Sequence, residues 1–367
     1  MFKQLMGGVL LSGALSVSFS QEVWTSQASG TTNILNGVVW AGAQFVAVGS
    51  SDGEGTKPGT VLTSPDGVTW TSRVAGTNST LKAVIRNGAQ LVAVGTQGGI
   101  VTSTDGITWT ARTSNTTEHL NALTWTGSQY VAVGYHGTVL TSPDAVTWTL
   151  RPSATPNIQL KSVAASGSMI VAIGVEGYLQ SSPDGITWTT RPNPEAFTIT
   201  ISGITWNGTK FAAITYSSAP GFGRSPTLTS PDGITWTENA NTLKASMNAI
   251  LWTGAQFVAV GTNGFVATSP NAIDWTTRVS GTEGYFNAVT LTGAGTLLLA
   301  VGDTYKNGGT ALIMTSPVAV TSVRTPQGAK GAKGAEVKPG LNGVLGTVQG
   351  YRADGRIPAL IPGQTKD

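Results

Sequence analysis

The sequence predicts an all-β fold, a seven-bladed β-propeller of four-stranded antiparallel blades. Two repeating patterns and the composition predict it. Six segments echo one another: SPDGVTWTSR (64–73), STDGITWTAR (103–112), SPDAVTWTLR (142–151), SPDGITWTTR (182–191), SPDGITWTEN (230–239) and SPNAIDWTTR (269–278). Their tryptophans, Trp70, Trp109, Trp148, Trp188, Trp236 and Trp275, are 39, 39, 40, 48 and 39 residues apart. A second pattern, of the type LNALTWTGSQYVAVG (120–134), occurs seven times, starting near residues 35, 81, 120, 160, 201, 247 and 286. The 367 residues include 48 Gly and only 11% charged residues, where about 25% is usual, which excludes a charge-rich helical protein or coiled coil.

The third unit shows the elements in order. LNALTW is a first β-prone run, followed by a turn at Thr126-Gly127; SQYVAVG is a second, followed by a tight turn at His136-Gly137. GTVLTS and VTWTLR follow, separated by the Pro143-Asp144-Ala145 turn. Gly-containing turns between β-branched and aromatic runs mark an antiparallel meander. A four-stranded unit of about 40 residues, repeated, is a propeller blade. The seventh unit lacks the Trp: Ser322 stands in its place, whereas QEVWTSQ (21–27) matches the fourth-strand pattern. Residues 22–27 are therefore expected to close blade seven, with Trp24 at the repeated position and 318–323 as the competing segment. Pairing the two ends removes open sheet edges.

The flanks differ from the body. Residues 1–20 carry Lys3 and then an apolar run too short to span a bilayer, ending in small residues. They are expected to be a secretory signal peptide, giving a secreted, envelope or periplasmic protein without a transmembrane segment. Residues 21–323 form the propeller and hold 13 Lys/Arg against 15 Asp/Glu, too even a balance for a nucleic-acid-binding face. Residues 324–367, with 7 basic and 3 acidic residues, read as a flexible basic Gly/Pro-rich tail. Zero Cys and two His, His119 and His136, exclude disulfides, thiolate metal sites and Cys nucleophiles. No metal or cofactor is expected.

The SPDGxTW turn resembles a shortened Asp-box, the repeat of BNR-type, sialidase-superfamily propellers, with one residue fewer between Asp and Trp. The resemblance spans residues 22 to about 318. It implies the propeller fold and leaves activity open, since such propellers include sialidases, xyloglucanases, sorting receptors and photosystem assembly factors. Asp66, Asp105, Asp144, Asp184 and Asp232 are read as turn caps, because one per blade scatters them around the rim, whereas catalysis needs convergence. Arg73, Arg112, Arg151, Arg191 and Arg278 are spread by the same symmetry, so the arginine cluster of a sialidase is missing.

Candidate binding residues come from two places. One polar residue interrupts each inner apolar run: Asn36, Lys82, Asn121, Lys161, Ser202, Asn248 and Asn287. Bonding to the neighbouring blade's backbone explains Asn and Ser, but explains Lys82 and Lys161 less well. The other place is the set of loops between second and third strands. Four are minimal, and two of these present His136 and Glu176. Three are expanded, at 50–59, 216–226 and 303–309, and offer Asp52, Tyr216, Phe222, Arg224, Asp303 and Tyr305. The expectation is a monomeric, non-catalytic binding or assembly propeller for a carbohydrate or protein partner. The alternative is a glycan-active hydrolase using two of Asp52, Glu54, Glu176 and Asp303, which must face one bond across about 5–9.5 Å.

Overall fold

Each of the seven repeats folds into an antiparallel sheet because its four runs differ in how much apolar surface they carry. The computed structural model describes residues 23–51, 58–154, 156–194, 199–216, 225–239, 243, 245–304 and 309–318. Blade one is Leu35–Trp40, Phe45–Gly49, Thr60–Ser64 and Thr71–Val74, hydrogen-bonded in that order. Blades two to six repeat this arrangement, starting at Leu81, Leu120, Leu160, Thr200 and Met247. Blade seven takes Tyr285–Leu291, Leu297–Asp303 and Ala311–Pro317 from the end of the propeller and Thr25–Gln27 from its beginning. In that pairing Ser26 lies opposite Met314. Of the competing segment 318–323 only Val318 falls among the described residues.

Burial is deepest in the second and third strands and falls to the outer one. Second strands such as Phe45–Gly49 and Tyr130–Gly134 are buried at every position, since neighbouring blades cover both their faces. Outer strands such as Thr110–Arg112 and Thr149–Arg151 are mostly exposed and carry Thr, Ala, Leu and Arg. Seven hydrophobic clusters fill the seams between consecutive blades, and the repeated Trp of each blade packs into the seam shared with the preceding blade. Trp109 joins Val46 and Leu81, Trp148 joins Ile85 and Tyr130, and Trp188 joins Val131 and Leu160. Trp236, Trp275 and Trp70 hold the equivalent places in three further seams. Trp24 lies between Val258 and Leu298 in the seam of blades six and seven. In blades one, three, five and six a second Trp ends the inner strand and packs on the facing aromatic. Examples are Trp125 on Tyr130 and Trp206 on Phe211, both with ring centroids 4.6 Å apart.

The turn before each Trp is held by its own side chains. In blade two, Asp105 Oδ1 accepts from the Ile107 and Thr108 amides at 2.8 Å, while Ser103 Oγ donates to it at 2.9 Å. Gly106 donates its amide to Ser103 Oγ, and Trp109 Nε1 donates to the Gly106 carbonyl. Asp66, Asp144, Asp184 and Asp232 repeat the carboxylate contacts. In blade six, Asn271 Oδ1 takes the same two amides and its Nδ2 donates to Asp274. An amide thus fills the capping role. The repeated arginines are structural too: each Nε donates to a hydroxyl on the adjacent strand, as Arg112 does to Thr102 at 2.9 Å.

These amide bonds hold the Asp carboxyls below their ordinary range, Asp105 at about 2. Unfolded Asp titrates near ~3.9, so between those values the unfolded chain binds more protons and stability rises with pH. Stability is therefore expected to be complete above the unfolded value and to fall as pH drops from about 4 towards about 2. Urea midpoints measured across that window check it. A midpoint independent of pH there would remove the Asp turns from the stability account.

Candidate functional site

The inner strand of every blade carries a β-bulge near its start, and the bulged residue is the polar one. The register slips between Leu35 and Gly37, Leu81 and Ala83, Leu120 and Ala122, and Leu160 and Ser162. It slips again between Ile201 and Gly203, Met247 and Ala249, and Phe286 and Ala288. An extra residue in one strand re-aims its own side chain. Here the bulges bring all seven polar residues to the lining of one axial cavity of about 120 Å³. Small neighbours such as Gly37, Ala83 and Ala122 leave that space open.

Five of the seven side chains bond the backbone of the next blade. Asn36 Nδ2 donates to Leu81 O at 2.9 Å, Asn121 to Leu160 O at 2.7 Å, and Ser202 Oγ to Met247 O at 2.6 Å. Asn248 donates to Phe286 O at 2.9 Å, and Asn287 to Leu35 O at 3.0 Å, which joins blade seven to blade one. Lys82 and Lys161 break the series. Both are half-buried, and neither ammonium has a hydrogen-bond or ion-pair partner among the described residues. Burial pushes both lysines below the usual ammonium range, and the charge of Lys82 adds to the effect on Lys161. Both residues line the same cavity.

A rim of turns between second and third strands stands on the same face as the bulges, because each inner strand begins opposite the end of its second strand, as Leu120 does opposite Gly134. Gln97, His136, Glu176 and Asn263 sit in the left-handed region with φ of 54°, 49°, 56° and 55°, each followed by a Gly that also has positive φ. This is a type I′ turn, whose twist suits a hairpin. Three of the four turns are fastened to the entry of the next blade: Gly98 donates its amide to Glu118 O, Gly137 to Ile158 O, and Gly264 to Gly284 O. His119 Nδ1 accepts the Gln97 amide at 3.0 Å, and His136 Nδ1 lies 2.8 Å from Glu118 Oε2. His119 and Tyr135 stack edge to face at 4.9 Å. Blade three therefore presents a compact group of two His, one Tyr and one Glu at the rim.

Sequence reasoning selects the axial lysines and His136 but misses Glu118 and His119, which lie in the linker before blade three. Glu118 and His119 have no signal of their own in the sequence; the signal lies in the turns, one of which they fasten. The left-handed backbone favours Asn or Gly, yet Gln97, His136 and Glu176 occupy three of the four turns. Replacing Glu176 with Asn is expected to raise unfolding free energy by up to about 1 kcal/mol. Thermal or urea denaturation measures it, and a loss of stability would mean that Glu176 makes a structural contact in the folded state.

Three of the remaining candidates stand on separate blades. Glu176 is exposed on the turn of blade four, Tyr216 ends the second strand of blade five, and Asp303 ends that of blade seven. None of the three lines the axial cavity. Asp52, Phe222, Arg224 and Tyr305, with Glu54, lie outside the described residues. Among the described residues no group of three or more His, Asp and Glu is arranged to hold a metal ion. No helix there is long and apolar enough to cross a membrane.

No family model and no curated protein matches the chain. Solved structures do. YCF48 bound to D1 peptide superposes with a TM-score of 0.62 at 14% identity, covering 83% of this chain and 99% of that one. YCF48 from Cyanidioschyzon merolae gives 0.60 at 14% identity, covering 80% and 98%. The WD40 β-propeller domain of Doa1 gives 0.59 at 12% identity, covering 82% and 97%. At such identities the likeness is one of fold, and the chain is a seven-bladed β-propeller.

Proposed function

We propose that this chain is a non-catalytic propeller that binds a protein partner through the rim and mouth of its axial cavity. The observation carrying this reading is the rim itself. Left-handed turns hold His136 and Glu176 outward at a conformational cost, beside a cavity whose two lysines have no partner among the described residues. A rigid scaffold with costly, outward-facing polar groups suits recognition. The likeness in fold to a propeller solved with a bound peptide supports a protein as the partner. Among the described residues no rim feature singles out a carbohydrate, and Glu176 and Asp303 stand in different blades, four and seven.

In this reading residues 1–20 are a leader that exports the chain, residues 21–323 are the working domain and residues 324–367 are a tethered tail. The repeated turn is a shortened Asp-box, with Ser, Asp and Trp in capping roles. Photocrosslinking tests the binding face. Photoreactive residues at His136 and Glu176 should give discrete protein adducts in the native host, whereas the same label at Ile107 or Ile186, in the turns before the repeated Trp residues, should give none. Adducts from Ile107 and Ile186 alone would overturn the assignment of the face, and saturable binding on a glycan array would restore the carbohydrate reading.

A further inference from the structure

We propose that the axial cavity is a binding site for a small oxyanion of the carboxylate or phosphate class, held between Lys82 and Lys161. The argument begins with the interrupted ring. Five bulged side chains donate to the next blade, so the ring of inner strands is stitched through Asn and Ser. The two exceptions are not scattered: they stand on blades two and four and flank Asn121. An Asn at either place would continue the stitching at no charge cost. Lysine instead forgoes the bond and brings a second like charge into a confined space.

Half-buried ammonium groups are costly unless paired. No acidic residue is among those lining the cavity, so the described chain leaves two positive charges uncompensated there. The cavity, about 120 Å³, has room for an oxyanion with one short substituent. Asn121 uses one amide hydrogen on Leu160 O and retains a second donor. Two ammonium groups and an amide on one side of the channel suit an anion with two or more oxygens. The site does not depend on the partner reading, since a protein held by the rim alone needs no axial anion. An acidic side chain from a partner and a free anion would present the same chemistry.

The test titrates the full chain with inorganic phosphate, with malonate and with a short Asp-containing peptide, followed by calorimetry and by the shift in melting temperature. Binding should be saturable, weaken as salt rises, and fall at least tenfold in Lys82→Asn and in Lys161→Asn. Lys210, which donates to Asn271 O elsewhere in the fold, supplies the control: Lys210→Met should bind as the parent does. The Asn variants should also melt higher than the unliganded parent, because they complete the ring. Lys82→Met and Lys161→Met, which add no new bond, repeat the binding test if either Asn variant fails to fold. The strongest of the three probes identifies the source of the anion. No saturable binding by any probe, or binding equal to the parent's in a variant carrying both Lys82→Asn and Lys161→Asn, would overturn the proposal.

Discussion

Replacing Trp24 with alanine is expected to lower the unfolding free energy by about 3–5 kcal/mol, the usual cost of deleting a large buried aromatic. Trp24 is 7% exposed and packs against Phe286 at 6.1 Å between ring centroids, in the seam of blades six and seven. Trp109 is equally buried in the seam of blades one and two. Its replacement therefore supplies the internal standard. If the pairing of Thr25–Gln27 with blade seven locks the ring, the two substitutions should cost about the same and leave a single cooperative transition. A clearly larger loss for Trp24→Ala would mean that the N-terminal strand detaches, which exposes the free edge of Ala311–Pro317. Urea denaturation followed by tryptophan fluorescence and by circular dichroism measures both properties. A Trp24→Ala variant within about 0.5 kcal/mol of the parent would show that the N-terminal strand is dispensable, since that is the usual scatter of a neutral surface substitution.

The blades were legible in the sequence because everything that defines them is local. A run such as Tyr130–Gly134, the turn at Asp144 and the Trp148 that follows are written within one repeat, and copying the repeat six more times leaves few other folds. The role of Asp66 and its counterparts was legible for the same reason, since their partners lie two or three residues away. The axial ring was harder. Asn36 bonds Leu81 and Asn287 bonds Leu35, partners 45 and 252 residues apart. The sequence shows that a polar residue interrupts each inner run, but not that a bulge turns it into the channel. Nor does it show that Lys82 and Lys161 are the two places where the stitching fails. The expanded loops, with Asp52, Phe222, Arg224 and Tyr305, carry no repeat at all, so chemistry alone singled them out.

Gly134→Ala is expected to destabilise the fold by about 1–3 kcal/mol or more, as overpacking against backbone does. The reason is space and not dihedral angle, because Gly134 has φ −164°, an extended backbone that any residue adopts. A Cβ there would come closer than 3.0 Å to the His119 carbonyl oxygen. The obstruction follows from the bulge at Asn121, which lets Leu120 stay opposite Gly134 while Ala122 moves to face Val133. Gly49, Gly95, Gly174, Gly261 and Gly302 meet the same obstruction from the carbonyl of the residue preceding their own inner strand's Leu, Met or Phe. Blade five carries Thr215 instead, fully buried, with its hydroxyl donating to Pro226 O at 2.9 Å. Thr215→Ala should therefore cost only that bond, about 1 kcal/mol. Comparing the two variants by urea midpoint separates a steric requirement from a general intolerance of change at the strand end. The glycine and the bulged polar residue act together, so Gly134→Ala should also disturb Asn121 and weaken any anion held beside it. A variant that kept full stability would mean that the His119 carbonyl can move aside, and the bulge would then be too soft to position the axial ring.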